Sequence, residues 1–365
     1  MNFTIETEKL QDLVASVIKA VPATNLNPGL KGMLFSFKDG KLSVTCMNES
    51  VVLRNAAPAT GDDCSFILLA ERIDAVVKAV DGESVTMDDN EKFVTLSCGK
   101  SLFRLLKYGE VKNFPSFPVI NTEIFQVSGE VFRDAVGYTG FAVGKGDGVQ
   151  QIFTGVNLAF ENKMFKAAGT NGHRVAVYRK EIGGEGTFAA TLPGVPLQDF
   201  AKMLNDNAVS IQVDGNRVHI QQGDFETVMT AIGGVYPPYE KIIPKETIIK
   251  VKADRKNLLG ALTRIALCSE GDVGSVKIMV NDNHVVLSAK GDNGFGEEPV
   301  DAEVTKDGAD PFVITFNSKY ILKALKAAKE EKVVLGFNQV LSPASIRFEG
   351  LDEYIYVISP LRTHA

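Results

Sequence analysis

A chain of 365 residues exceeds one ordinary domain and suits two or three of about 120 to 180 residues each. With 45% apolar and 23% charged residues it can bury a core of its own, and it shows no basic-plus-apolar leader and no apolar run near the roughly 20 residues that span a bilayer, which points to a cytoplasmic protein without a membrane partner. The formal charge of −6, taken alone, argues against nucleic acid as a partner, and the scattered Cys46, Cys64, Cys98 and Cys268 form no CxxC pair, so neither a zinc site nor a disulfide framework is expected.

The strand FTIE from Phe3 leads into a helix in which Leu10, Leu13, Val14, Val17 and Ile18 keep the i, i+3, i+4, i+7, i+8 spacing of a single apolar stripe. The alternating segment GMLFSFKDGKLSVTC follows as two strands about a DG turn. A second helix carries the stripe Ile73, Val76, Val77 and Val80, and two further strands close the unit.

The same order then returns. FQVSGEVFRDAVGYTG from Phe125 repeats strand and helix, with Phe132, Ala135, Val136 and Thr139 on the stripe, and GVNLAFENKMFKAAG repeats the hairpin. Leu197, Phe200, Ala201 and Leu204 mark the second helix, and AVSIQVDGNRVHIQQGDFETVMTAI supplies the closing strands. A third passage has VKADRKNLLGALTRIA from Val251, with Leu258, Ala261, Leu262, Ile265 and Ala266, then SVKIMVNDNHVVLSA, then the stripe Ile321, Ala324, Leu325 and Ala328. The leading stripe residues 73, 197 and 321 stand 124 apart both times, which makes the chain a threefold repeat. Proline-rich NFPSFPVI and YPPYEKIIPKE lie at the junctions and place three domains at 1–120, 121–246 and 247–365. Each is expected to be α+β, with both helices on one face of antiparallel sheet.

Helical angle also sorts the charges. Lys78, Lys202 and Lys326 each follow the first stripe residue of a second helix by five positions, opposite the buried side. Lys319 and Lys323 join Lys326 at i, i+4, i+7, and Lys19 lies opposite the stripe of the first helix. The six helical segments sum to +5 while the whole chain is −6, so the remainder carries −11. Such a molecule can hold a polyanion on its helices and repel it elsewhere. The plainer alternative is that these lysines only solvate helix faces. No base-reading module is present and there is no Trp, so any contact to nucleic acid would be to phosphate, without sequence preference.

The stretch AAGTNGHRVAVYRKE, residues 167–181, sets His173 beside Arg174 on a turn between two alternating runs. A catalytic histidine would need an orienting carboxylate and a nucleophile or metal. The GxSxG, HExxH, P-loop and GxGxxG patterns are all missing, and KGDG from Lys145 lacks the rest of a phosphate loop. The expected role of 171–172 is a turn, with no catalytic residue, cofactor or metal.

These residues carry a resemblance. GTNGHRVA is similar to the ATDGHRLA-type segment of the bacterial replicative sliding clamp family, the β subunit of DNA polymerase III, and MNFTIETEKL, VKNFPSFP, GGVYPPYEKIIP and YVISPLR resemble clamp segments in the same order over the whole chain. The resemblance implies the DNA clamp fold: three similar domains per chain, two chains closing head to tail into a homodimeric ring, helices toward duplex DNA and sheet outside. It implies a non-catalytic processivity factor. The DNA-facing residues would be Lys19, Lys78, Lys202, Lys319, Lys323 and Lys326, and the dimer joint would use Phe103, Leu105, Leu267 and Cys268.

It also implies a pocket for a short extended peptide with a glutamine and a Leu-Phe type end, carried by the polymerase α subunit, clamp-loader subunits, other polymerases and repair proteins. Matched residue by residue, the pocket takes Phe153, Thr170, Gly172, His173, Arg174 and Val175 from the central part. Pro237 and Ile242 follow it, and Ser345, Val357, Ser359, Pro360, Leu361 and Arg362 come from the end of the chain. Asn171 stands where the motif usually has Asp, Phe153 where Leu is frequent, and Ser359 where Met is common, which bears on pocket shape. Thr24, Gln151 and Ile152 replace Arg and Tyr at loops that touch DNA in some clamps, and the tail Thr363–Ala365 would shade the pocket. A monomeric repeat scaffold for protein or small ligands is the alternative, with mass in solution as the discriminator.

Overall fold

The computed structural model describes residues 1–22, 28–146, 148–269, 274–292, 294–306 and 311–362. Thr24 and the tail Thr363–Ala365 lie outside the described residues. Helices form where the apolar stripes predict them: α1 Thr7–Val17, α2 Ala70–Ala79, α3 Gly129–Gly140, α4 Gly194–Ala201, α5 Arg255–Ile265 and α6 Ser318–Ala327. Leu10, Leu13, Val14 and Val17 of α1 are buried, as are Ile321, Ala324 and Leu325 of α6. The N-termini of α5 and α6 are capped by Asp254, which accepts from Asn257 N at 2.8 Å, and Asn317, which accepts from Lys319 N at 3.0 Å.

The chain splits into two compact units, Met1–Arg133 with Val195–Ala231, and Asp134–Gly194 with Ile232–Ala365. The first unit holds two antiparallel sheets. In the five-stranded one, Ser101–Leu106 is the edge, paired only on its inner side with Phe93–Cys98 apart from an isolated bridge between Leu68 and Lys107. The eight-stranded one runs from Phe125–Ser128 through Ala208–Asp214, Arg217–Gln222 and Phe225–Thr230, then across Val51–Pro58, Lys41–Met47 and Gly32–Lys38 to Cys64–Leu69. The strand Phe225–Thr230 of the second repeat therefore pairs directly with Val51–Pro58 of the first. Helix α1 packs on α2 and on Lys41–Met47 and Val51–Pro58.

The second unit is built on one twelve-stranded sheet. It holds another continuation between repeats: Arg174–Glu181 pairs antiparallel with Leu351–Ile358, from Arg174 opposite Ile358 to Tyr178 opposite Tyr354. Helix α5 packs against α6 and against Gly294–Thr305. The repeats are thus joined by shared sheets, because each leaves an outer strand whose backbone groups need a partner.

Candidate docking pocket and charged surfaces

The hairpin made by Met164–Thr170 and Arg174–Glu181 turns at 171–173. Gly172 has φ +87°, a left-handed conformation that glycine adopts without a Cβ clash, whereas Asn171 keeps negative φ and serves by its side chain. Its Oδ1 accepts from His173 N at 3.1 Å, and Thr170 Oγ1 donates to Arg174 O at 2.6 Å while accepting from Gly172 N at 3.1 Å. The turn is closed by its own polar atoms, and His173 is left exposed beside it.

Arg174 is buried, 4% exposed. Its Nε donates to Ala142 O at 3.2 Å and its Nη2 to Phe141 O at 2.8 Å, so the guanidinium ties the hairpin to the segment after α3. Its Cζ lies 4.3 Å from the centroid of the Tyr320 ring on α6, and Asn171 Nδ2 donates to Tyr320 Oη at 2.9 Å. Tyr320 is not among the residues the sequence points to, since the stripe of α6 begins at the next residue and nothing local distinguishes it.

Val175 and Val357 are register partners, both buried. With Ala168, Val177, Tyr239 and Ile355 they form an apolar floor, against which Tyr236 and Ile243 pack. Burial pushes the Tyr239 hydroxyl up to about 12, so it stays neutral across the working range. At the turn, the Phe153 ring stands beside Gly172, 3.7 Å from where a Cβ would sit. Pro237 is half-buried and Ile242 is 50% exposed. Ser359 N donates to His173 O at 2.9 Å, which brings Ser359 and Pro360 alongside the turn.

The remaining predicted pocket residues lie on adjoining surfaces. Leu361 N donates to Thr315 O at 2.8 Å, and Leu361 and Arg362 line an open cavity of about 1110 Å³ with Lys277, Val313, Val340 and Leu341. Ser345 is buried, its Oγ against Gly336, at the edge of a mixed-charge groove of about 640 Å³ bordered by Pro244–Thr247. Gln151 and Ile152 fall in the short 3-10 turn that carries Phe153.

All six predicted DNA-facing lysines are exposed. Two sit off the helices to which the sequence assigns them: Lys19 is in the 3-10 turn Ile18–Ala20 after α1, and Lys202 follows the end of α4. Both helices stop early, so the positions are reached by turns. Lys78 is paired with Asp74 of α2 at 2.7 Å, and Lys202 with Asp199 of α4 at 3.6 Å. On α6 the balance differs. Partial burial above all, and then the cations Arg174, Lys145 and Lys319, lower the Lys323 ammonium below its ordinary value.

At the edge strand Ser101–Leu106, Phe103 and Leu105 are half-buried, and Leu102 and Leu106 present more apolar surface, 61% and 66% exposed. Alternation along the strand could have identified that second pair. In the other unit Leu267 is 84% exposed, while Cys268 tucks its Sγ under the backbone, 2.9 Å from where a Gly296 Cβ would lie. Phe295 is 62% exposed on the same strand as Gly296, and Arg264 grips Glu298 through two hydrogen bonds of 3.0 and 2.5 Å. Among the described residues no cluster of His, Cys, Asp and Glu is arranged to hold a metal, and no helix is long and apolar enough to cross a membrane.

Three repeats, each laying helices on antiparallel sheet and joined through shared sheets, define the class of DNA clamps. Comparison with known proteins makes the assignment specific. Three family models match in order: DNA polymerase III beta subunit N-terminal domain over residues 1–118, central domain over 126–238 and C-terminal domain over 240–362. The beta sliding clamp of Synechococcus elongatus is 28% identical over 377 residues, covering 99% of each chain, and that of Staphylococcus aureus is 26% identical over 380 residues, covering 100% of each. The solved DNA polymerase III beta subunit of Thermotoga maritima has a TM-score of 0.91 at 24% identity, and the DNA polymerase sliding clamp of Bacillus subtilis 0.90 at 24%, each covering 100% of both chains. The chain belongs to the DNA polymerase III beta subunit family, and its function is that of a DNA sliding clamp.

Proposed function

We propose that two copies of this chain close head to tail into a ring around duplex DNA and act there as a non-catalytic processivity factor for the replicative polymerase. The observation that carries the reading is the ordered match of all three clamp domains along one chain. Domain limits near 120 and 246 follow the proline-rich junctions. The ring joint is formed by Ser101–Leu106 of one chain, with Phe103 and Leu105, against the region of Leu267 and Cys268 in the other, since the edge strand presents Leu102 and Leu106 and the other region presents Leu267 and Phe295 as exposed apolar side chains. Phosphates are met by the exposed lysines, above all those of α6, through weak contacts that permit sliding.

The hairpin pocket docks short peptides ending in Leu-Phe from the polymerase α subunit, clamp-loader subunits and repair proteins. An apolar floor of Val175 and Val357, with the half-exposed Ile242 and with Phe153 beside the polar turn, suits an apolar anchor flanked by hydrogen bonds. The test has two arms. Loaded onto nicked circular DNA, the protein is retained until the circle is cut, after which it leaves by the ends. A fluorescent peptide ending in Leu-Phe binds the wild-type chain and loses most of its anisotropy change with Ile242→Glu. Retention that ignores linearisation overturns the ring, and full peptide affinity in Ile242→Glu overturns the pocket.

A further inference from the structure

A separate cluster lies at the seam where Val51–Pro58 meets Phe225–Thr230. Glu226 stands opposite Arg54 in the ladder and is 8% exposed. Its Oε1 accepts from Arg54 Nε at 2.7 Å and Nη2 at 2.6 Å, and its Oε2 is 2.8 Å from His219 Nε2. The other ring nitrogen, Nδ1, is 3.3 Å from Gln212 Oε1. The amide of Gln212 is oriented by a further hydrogen bond, Nε2 donating to Thr122 O at 2.9 Å. The linker also covers the cluster: Phe117 has Arg54 Cζ 3.9 Å from its ring centroid and the His219 ring edge-on at 6.1 Å.

The groups around His219 suit the imidazolium form. A carboxylate only accepts, and Gln212 turns its nitrogen to Thr122 and its oxygen to the ring, so the imidazole faces an acceptor oxygen at each nitrogen. A neutral imidazole carries one N–H and satisfies one of them. Two acceptors need two donors, hence the imidazolium. We infer that Arg54, Glu226 and His219 form a proton-loaded latch: the strand seam and the linker strapped over it hold tightly while His219 carries both hydrogens, and loosen when it gives one up. Loss of that proton sets a lone pair against an oxygen in a site largely closed to water, which is costly.

The other charged groups brought to this face are few. Asp214 from the strand of Gln212 and Arg217 from the strand of His219 face each other two pairs along the ladder, both exposed, and Glu123 is exposed in the linker after Thr122. None lies between the imidazole and its two acceptors. The cation on the far side of Glu226, Arg54, keeps its charge throughout. The proton on His219 is therefore the variable part of the latch. It lies outside the docking pocket, so the inference stands apart from the function proposed above.

Two measurements test it on the full-length protein. Nitrogen-15 spectra of the imidazoles, with His219 assigned by its disappearance in His219→Gln, show both nitrogens protonated at about pH 6. Hydrogen exchange, expressed as protection factors, then shows the amides of Thr227–Met229 losing about tenfold in protection between about pH 6 and about pH 9, the size expected when one buried hydrogen bond is broken. In His219→Gln, which keeps a donor for Glu226 but cannot titrate, protection at the seam is the same at both values. A bare nitrogen on His219 at the lower pH, or an equal loss of protection in wild type and His219→Gln, overturns the latch. The spectra of the wild-type protein decide the matter even if the variant fails to fold, because the His219 ring resonances are then assigned through bonds from its own backbone.

Discussion

The guanidinium of Arg174 lies over the Tyr320 ring, 4.3 Å from its centroid, while its nitrogens hold the carbonyls of Phe141 and Ala142. One buried cation thus joins the hairpin, the end of α3 and the start of α6. Replacing it with Met leaves two carbonyls without their donor, at a cost of about 2 to 4 kcal/mol. Urea denaturation reads this directly. Arg174→Lys recovers only part of the loss, because an ammonium cannot make the forked contacts; an unshifted midpoint in Arg174→Met would contradict the assignment.

Tyr320→Phe removes the acceptor used by Asn171 Nδ2 and leaves the ring in place. The expected loss is about 1 kcal/mol of stability. If the turn forms one side of the docking pocket, peptide affinity falls a few-fold as well. Titration by anisotropy checks this, and unchanged affinity would separate Tyr320 from docking.

Leu267→Lys places a charge on a side chain that is 84% exposed in the single chain. The folded chain keeps its melting temperature, while the dimer is lost because the charge would be buried unpaired at the joint. Sedimentation then gives the 39.5 kDa chain mass instead of twice that value. Cys268 is a poorer probe, since its Sγ is packed against Gly296 and a charge there disturbs the fold itself. A dimeric Leu267→Lys protein would remove this region from the joint.

Lys323 and Lys326 changed together to Glu should lower the salt dependence of DNA retention more than Lys78 and Lys202 changed together. The latter two are already partnered by Asp74 and Asp199. Removing one lysine–phosphate pairing reduces the slope of log affinity against log salt by about 0.9. Equal effects from the two sets would show that the ion pairs do not matter on DNA.

Burial alone would raise the Glu226 carboxyl, but hydrogen bonds from His219 and Arg54 outweigh it and leave the group below its ordinary range. A lowered carboxyl stabilises the fold above the unfolded value, about 4.3, and that contribution disappears as the pH falls through the folded value. Wild type should therefore melt well above Glu226→Gln at neutral pH, with the gap closing below about pH 4. A gap that persists in acid would place the stabilisation elsewhere.

Apolar periodicity alone located the six helices and the threefold repeat, because the stripe of a helix reports locally which side will be buried. The turn at 171–172 was equally legible, since Asn-Gly has a conformational reason to be there. Helix ends were not: Lys19 and Lys202 fall on turns because α1 and α4 close a few residues early. The pocket residues were placed by likeness to a family, and the sequence had no signal for Tyr320, which reaches Asn171 across 149 positions. Nor did it mark Arg54 and Glu226 as partners, 172 apart. Such pairs depend on which strand edges find one another, and a strand's edge is the same backbone whatever its sequence. The amino-acid order determined what each segment would bury, and only the tertiary structure decided which distant polar groups would meet over it.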